Sequence, residues 1–126
     1  MVLYLSGPIS SREETYREAF GKVEEHLNEL GHIVLNPAKL PSGLSYQEYM
    51  LIDKAMLNVA DGIVMLRGWE ESYGAKEELK LALTEGKRVY CEGGSVIPWA
   101  LDIDGHKQSD RIEVVQSAWQ SSLNGR

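Results

Sequence analysis

Asp61-Gly62-Ile63-Val64-Met65-Leu66 decides the fold. An acid and a glycine open this run, and four apolar residues follow. That length fits a short strand buried on both faces. The chain continues through a polar loop, Arg67 to Ser72, into Gly74-Ala75-Lys76-Glu77-Glu78-Leu79-Lys80-Leu81-Ala82, whose apolar residues recur at helical spacing. A carboxylate in the first turns of a helix, just past the C-terminal end of a strand, stands where an open α/β sheet holds its ligand. Glu78 occupies that place.

The pattern repeats on both sides of this unit. Met1 to Ser6 reads as a first strand that ends in the turn Ser6-Gly7-Pro8. Tyr16, Ala19, Phe20, Val23, Leu27 and Leu30 form one apolar face of a helix from about Arg12 to Leu30, which Gly31 stops. His32 to Asn36 is a second strand, ended by Pro37, and a Pro-, Ser- and Gly-rich loop runs to Leu44. Ser45 with Glu48 makes a capping box for a helix to about Val59. The third helix runs from about Tyr73 to Glu85, and the fourth strand is Lys87 to Cys91. Beyond Glu92, Gly93-Gly94 reads as a turn, Ile112 to Val115 as a fifth strand, and the tail from Ser117 as a short helix or frayed end. Alternating strands and helices predict parallel βαβ units with right-handed crossovers. The expectation is a single domain: a flavodoxin-like open parallel sheet of about five strands with helices on both faces.

Composition narrows the function. A chain of 126 residues with a net charge of −6 carries no basic surface for a nucleic acid polymer. Its one cysteine, Cys91, lies in a strand and reads as structural. His26, His32 and His106 are scattered, so neither a metal nor another cofactor is expected. No apolar stretch approaches a membrane span, and the first residues enter a strand directly, so no signal peptide and a cytoplasmic location are expected.

The candidate site gathers at the C-terminal ends of the strands. Asp53 lies three residues from both Met50 and Met56, and so points into the apolar face of its helix. It is either a structural acid bonded to its surroundings or a catalytic acid at a pocket edge. Glu78 shares a face with the small residues Ala75 and Ala82, which leave space beside its carboxylate; the plainer reading is a solvated acid near a helix start. Ser6, Gly7, Pro8, Ile9 and Ser10 offer hydroxyls and free amides that can hold phosphate. Tyr4 is either a core aromatic or a phenol at the same mouth. Trp69 either stacks on a base or covers the sheet edge. Apolar and aromatic residues on more than one side of the second helix, among them Tyr46, Leu51 and Val59, suggest a partner surface.

Taken together, Tyr4-Leu5-Ser6-Gly7-Pro8-Ile9, Asn36-Pro37-Ala38, Asp53 ahead of Ala60-Asp61, and Ser72-x-Gly74-Ala75-x-x-Glu78-Leu79-x-x-Ala82 resemble the nucleoside 2-deoxyribosyltransferase superfamily, which includes the nucleoside 5′-monophosphate N-glycosidases. The likeness is greatest to a branch of short phage and bacterial proteins that open with Gly-Pro-Ile or Gly-Pro-Met, and it covers residues 1 to about 91. The resemblance implies that Glu78 is the nucleophile, Asp53 the acid that assists departure of the base, and Tyr4 a partner near the sugar. It makes Ser72, beside Gly74, the position that faces a 5′-phosphate, where enzymes for free nucleosides carry Asp. It also implies a small nucleotide or nucleoside as substrate and a homodimer or higher homo-oligomer, with a neighbouring subunit lending a residue near the C-terminal end; Ser95 is the nearest candidate. The first turn departs from the monophosphate branch, which often carries Arg there, and Arg12 is the nearest cation. The alternative of a different class is a non-catalytic protein that sequesters a nucleotide in the same pocket. Such a protein has no need of a nucleophile.

Overall fold

A computed structural model describes residues 1–92. Four strands, β1 (Val2–Ser6), β2 (Ile33–Leu35), β3 (Gly62–Met65) and β4 (Arg88–Cys91), form one sheet. All neighbours pair in parallel, and the order is β2-β1-β3-β4. Three α-helices connect them: α1 (Tyr16–Glu29), α2 (Tyr46–Val59) and α3 (Tyr73–Thr84). With right-handed crossovers, α1 covers one face, while α2 and α3 lie side by side on the other. The expected flavodoxin-like architecture is therefore present over the described strands; the fifth strand, the tail helix and Ser95 lie outside the described residues.

The core follows the apolar pattern. Leu3, Tyr4 and Leu5 of β1 meet Ile63 and Val64 of β3 and Val89 of β4 in a buried cluster, with Phe20, Val23 and Leu27 of α1 below and Leu57, Leu79, Ala82 and Leu83 above. Asp61 joins two strands at their start, accepting a 2.8 Å hydrogen bond from the Val2 amide. Gly31 and Gly86 both close a helix in the left-handed region, at φ 91° and 77°. The following amides, His32 and Lys87, reach back to the carbonyls of Leu27 and Ala82, so each helix turns straight into a strand.

One boundary differs from expectation, and one strand is less covered than its apolar sequence suggests. α1 begins at Tyr16, four residues after the expected start at Arg12. Ser10–Arg12 form a separate 3₁₀ turn, and Thr15 makes no side-chain cap, so the polar run before Tyr16 has nothing to hold it in one helix. β2 is an edge strand with Ile33 exposed, not a strand covered on both faces. Among the described residues, no helix is long and apolar enough to cross a membrane, and no group of His, Cys, Asp or Glu is arranged to hold a metal ion.

Candidate active site

β1 and β3 lead to helices on opposite faces of the sheet, so a crevice opens beyond their C-terminal ends. A cleft of about 400 Å³ occupies this place. One wall comes from β1 and the turn after it: Tyr4, Ser6, Gly7, Ile9 and Ser10. Gly7 is required by space. A Cβ there would stand 2.9 Å from Cβ of Leu66 and 3.5 Å from the Phe20 ring. α2 contributes Asp53, and the start of α3 contributes Ser72, Gly74, Ala75 and Glu78.

Glu78 is 6% exposed, although it sits in the second turn of a surface helix. Ser72 explains the angle of entry. Its hydroxyl accepts from the Ala75 amide at 3.1 Å and starts α3 so that Ala75, Glu78 and Ala82 face the sheet. Two β1 side chains, two residues apart and thus on one face of the strand, meet the carboxylate. The Tyr4 hydroxyl donates to one oxygen at 2.9 Å, and the Ser6 hydroxyl donates to the other at 2.7 Å. Both oxygens are held, which fixes the rotamer of Glu78. The solvated-acid reading of this residue does not describe it.

Asp53 is 8% exposed, and its Oδ1 has no hydrogen-bond partner. The Ser45–Glu48 capping box, formed in both directions, sets the first turn of α2 and so the angle at which Asp53 faces the cleft. A buried carboxylate oxygen without a partner is uncommon in a folded chain.

Burial governs the protonation of the group. It raises Glu78 to about 7, against the lowering pull of the Ser6 bond and with a further push from the Asp53 charge. Burial alone raises Asp53 to about 6. Tyr4 is pushed well above its ordinary value by burial and then by the two carboxylates, so it remains a neutral donor. Cys91, in the core, is raised to about 12 by burial and remains a thiol, in keeping with a structural role.

These shifts have a consequence for stability. For a carboxyl raised in the folded state, the native chain binds protons more tightly than the unfolded one. The contribution is full near pH 4, is lost as pH rises through about 6 to 7, and is level above. Asp53→Asn removes one such group. Its melting temperature relative to the original chain should therefore rise between pH 4.5 and pH 8. A difference that stays constant across melts at these two pH values would mean that Asp53 carries its charge without cost.

Some expected residues stand elsewhere. Trp69 is 4% exposed and belongs to the core; it does not line the cleft, so the base-stacking reading is corrected. It follows Gly68, whose φ of 87° tightens the loop after β3. Pro8 is buried and likewise off the cleft wall. A Cβ on Gly68 would stand 3.2 Å from Pro8 and 2.6 Å from the Arg12 guanidinium. Arg12 thus turns away from the cleft and faces Glu71 at 3.7 Å. The cleft also has a wall that went unassigned in the sequence, Pro37 to Leu44 beyond β2. Asn36 builds its start. Its side chain accepts from the Ala38 amide at 2.8 Å and donates to Glu24 at 2.9 Å. The Asn-Pro pair after a strand was its visible signal.

The chain belongs to a family described as a domain of unknown function, DUF4406, whose model matches residues 1–91. Its fold is similar to that of the CMP N-glycosidase BcmB of Clostridium botulinum, with a TM-score of 0.55 and 19% identity over 72% of this chain and 70% of that one. It is also similar to that of the 2-deoxyribosyltransferase of Bacillus psychrosaccharolyticus, with a TM-score of 0.61 and 21% identity over 84% of this chain and 83% of that one. No curated protein matches the sequence. The fold is therefore the one implied by the resemblance of the motifs.

Proposed function

We propose that this chain cleaves or transfers the N-glycosidic bond of a nucleoside 5′-monophosphate through a covalent glycosyl ester on Glu78. The observation that carries the proposal is the buried Glu78 carboxylate, held on both oxygens by Tyr4 and Ser6, in one cleft with Asp53, whose buried Oδ1 has no partner. The two similar structures, named as an N-glycosidase and a deoxyribosyltransferase, support the same class of reaction.

Ionised Glu78 attacks the anomeric carbon of the sugar. A C–O bond forms as the C–N bond breaks, and the base leaves with the bonding electrons and the Asp53 proton. In the second half, water or another base attacks the same carbon and frees Glu78, while Asp53 takes a proton back. The reactive form has lost the Glu78 proton and kept that of Asp53. With Asp53 raised to about 6 and Glu78 to about 7, this form is the minor one of the two singly protonated states, on the order of a tenth of them, and it is most populated between those two values.

The phosphate would rest at the start of α3. Three carboxylates, Glu13, Asp53 and Glu78, line the cleft, with no Lys or Arg among the described lining residues. The seat therefore depends on the Ser10 and Ser72 hydroxyls and on the amide end of α3 at Gly74. Glu13 is exposed, so water screens its charge.

Incubation with a panel of nucleosides and their 5′-monophosphates, with free base read by chromatography, tests the reaction. Base release is expected. Tight binding seen by calorimetry without base release would instead assign the pocket to a protein that sequesters a nucleotide. Neither binding nor release would remove both readings.

The working unit we propose is a homo-oligomer. Tyr46, Leu51 and Val59 on α2 and Tyr73 on α3 are between 62% and 72% exposed, an apolar set left largely uncovered by the described residues. Light scattering at micromolar protein should give at least twice 14.1 kDa; a stable monomer would contradict it.

A further inference from the structure

Arg17 is an exposed residue on the first turns of α1, outside every motif in the sequence, yet its guanidinium reaches across to the segment after β2. One nitrogen donates to the Ala38 carbonyl. The other donates to the Leu40 carbonyl at 3.3 Å and to the Ser42 hydroxyl at 3.2 Å. The guanidinium also lies over the Tyr16 ring, 5.2 Å from its centre, and Tyr16 itself lines the cleft. A planar fork with several fixed donors suits acceptors spread along a loop, which a single ammonium does not. From the other side, the Tyr49 hydroxyl of α2 donates to the Pro41 carbonyl at 2.7 Å and accepts from the Leu44 amide at 3.3 Å. The segment has one 3₁₀ turn, Pro37–Lys39, and no strand or α-helix, so these side chains hold it in place.

Pro37, Leu40, Ser42, Gly43 and Leu44 of this segment line the cleft. We propose that residues 37–44 form the substrate-side wall that fixes how the nucleotide lies, and that Arg17 is the positioning residue that sets this wall. The role rests on the reaction proposed above. Arg17 itself is not among the cleft-lining residues. Its loss should therefore loosen binding and leave the bond-breaking groups, Glu78 and Asp53, in register. The expected signature is a rise in KM with kcat retained.

The experiment compares the full chain with Arg17→Ala, Arg17→Lys and, as a control on the exposed face of the same helix, Lys22→Ala. For the nucleoside monophosphate found active in the panel, Arg17→Ala should raise KM by about tenfold with kcat within about twofold, since ordered side-chain bonds of this kind are worth about 1 to 2 kcal/mol together. Arg17→Lys should fall between, and Lys22→Ala should match the original chain. Equal losses in kcat and kcat/KM, or no change, would overturn the proposal. Trypsin cleavage after exposed Lys39 is read in parallel. It should be faster in Arg17→Ala, and an added nucleoside monophosphate should slow it in the original chain. If no substrate of the panel is turned over, the dissociation constant of the monophosphate replaces KM. If none binds, the proposed function fails, and faster cleavage in Arg17→Ala alone then leaves Arg17 as a loop anchor with no substrate role. Unchanged cleavage would overturn the clamp itself.

Discussion

Glu78→Gln should abolish turnover and leave the fold intact. Glutamine has the shape of the glutamate but no charge to form the glycosyl ester. The amide oxygen can accept from one of the Tyr4 and Ser6 hydroxyls, and the amide nitrogen can donate to the other, so the internal bonds of Glu78 survive in number. Removing the group that forms the covalent bond should cost several kcal/mol of barrier, a rate loss on the order of a thousandfold or more. Stability should move the other way at high pH. The buried carboxylate is raised to about 7, so the original chain carries an unfavourable charge at pH 8 that the variant lacks. The variant should melt no lower than the original chain at pH 8. Measured turnover in Glu78→Gln within about tenfold of the original would remove Glu78 as nucleophile.

Ser72→Asp should reverse the preference between a nucleoside monophosphate and its nucleoside. Asp is as good an N-cap as Ser, so the bond to the Ala75 amide and the start of α3 are kept. What changes is charge. A carboxylate at a hydrogen-bond distance from a phosphate dianion in a partly desolvated cleft repels it by a few kcal/mol. That corresponds to a loss on the order of a hundredfold in binding. The same carboxylate can accept from the 5′-hydroxyl of a free nucleoside. The test is kcat/KM for both substrates with both proteins. If the original chain already favours the nucleoside, the three cleft carboxylates outweigh the helix-end seat, and the phosphate is not part of the substrate.

The sequence carried the site more fully than the segments around it. Tyr4 and Ser6 are two apart on a strand, and Ala75, Glu78 and Ala82 share a helix face; such periodicity sets which side chains converge. The start of α2 at Tyr46 was legible because Ser45 and Glu48 announce it chemically. The start of α1 was not, since the charged residues before Tyr16 are compatible with helix and turn alike. Trp69 shows another limit. A short turn can direct a ring into the core or into a cleft, and only the backbone after Gly68 decides. Arg17 was invisible for a different reason. Two of its acceptors are backbone carbonyls, which every residue type possesses, so no pattern of side chains marks them.

The two bonds that hold Glu78 join residues 74 and 72 positions apart in the chain. β1 leaves the ribosome before the other described strands, but its place between β2 and β3 cannot be filled until the chain has been made through β3, and Tyr4 and Ser6 find their acceptor only when α3 follows. Long-range parallel pairing is slow, and the candidate site is not assembled along the way. On the proposed function, a nascent chain not yet made through α3 lacks Glu78 and therefore carries no nucleophile. In the finished protein, the Tyr4–Glu78 link opens only when the sheet and α3 part, so amide exchange in β1 should be among the slowest in the molecule. The proposed reactivity thus depends on a contact between distant parts of the chain, and it is available only once the fold is complete through α3.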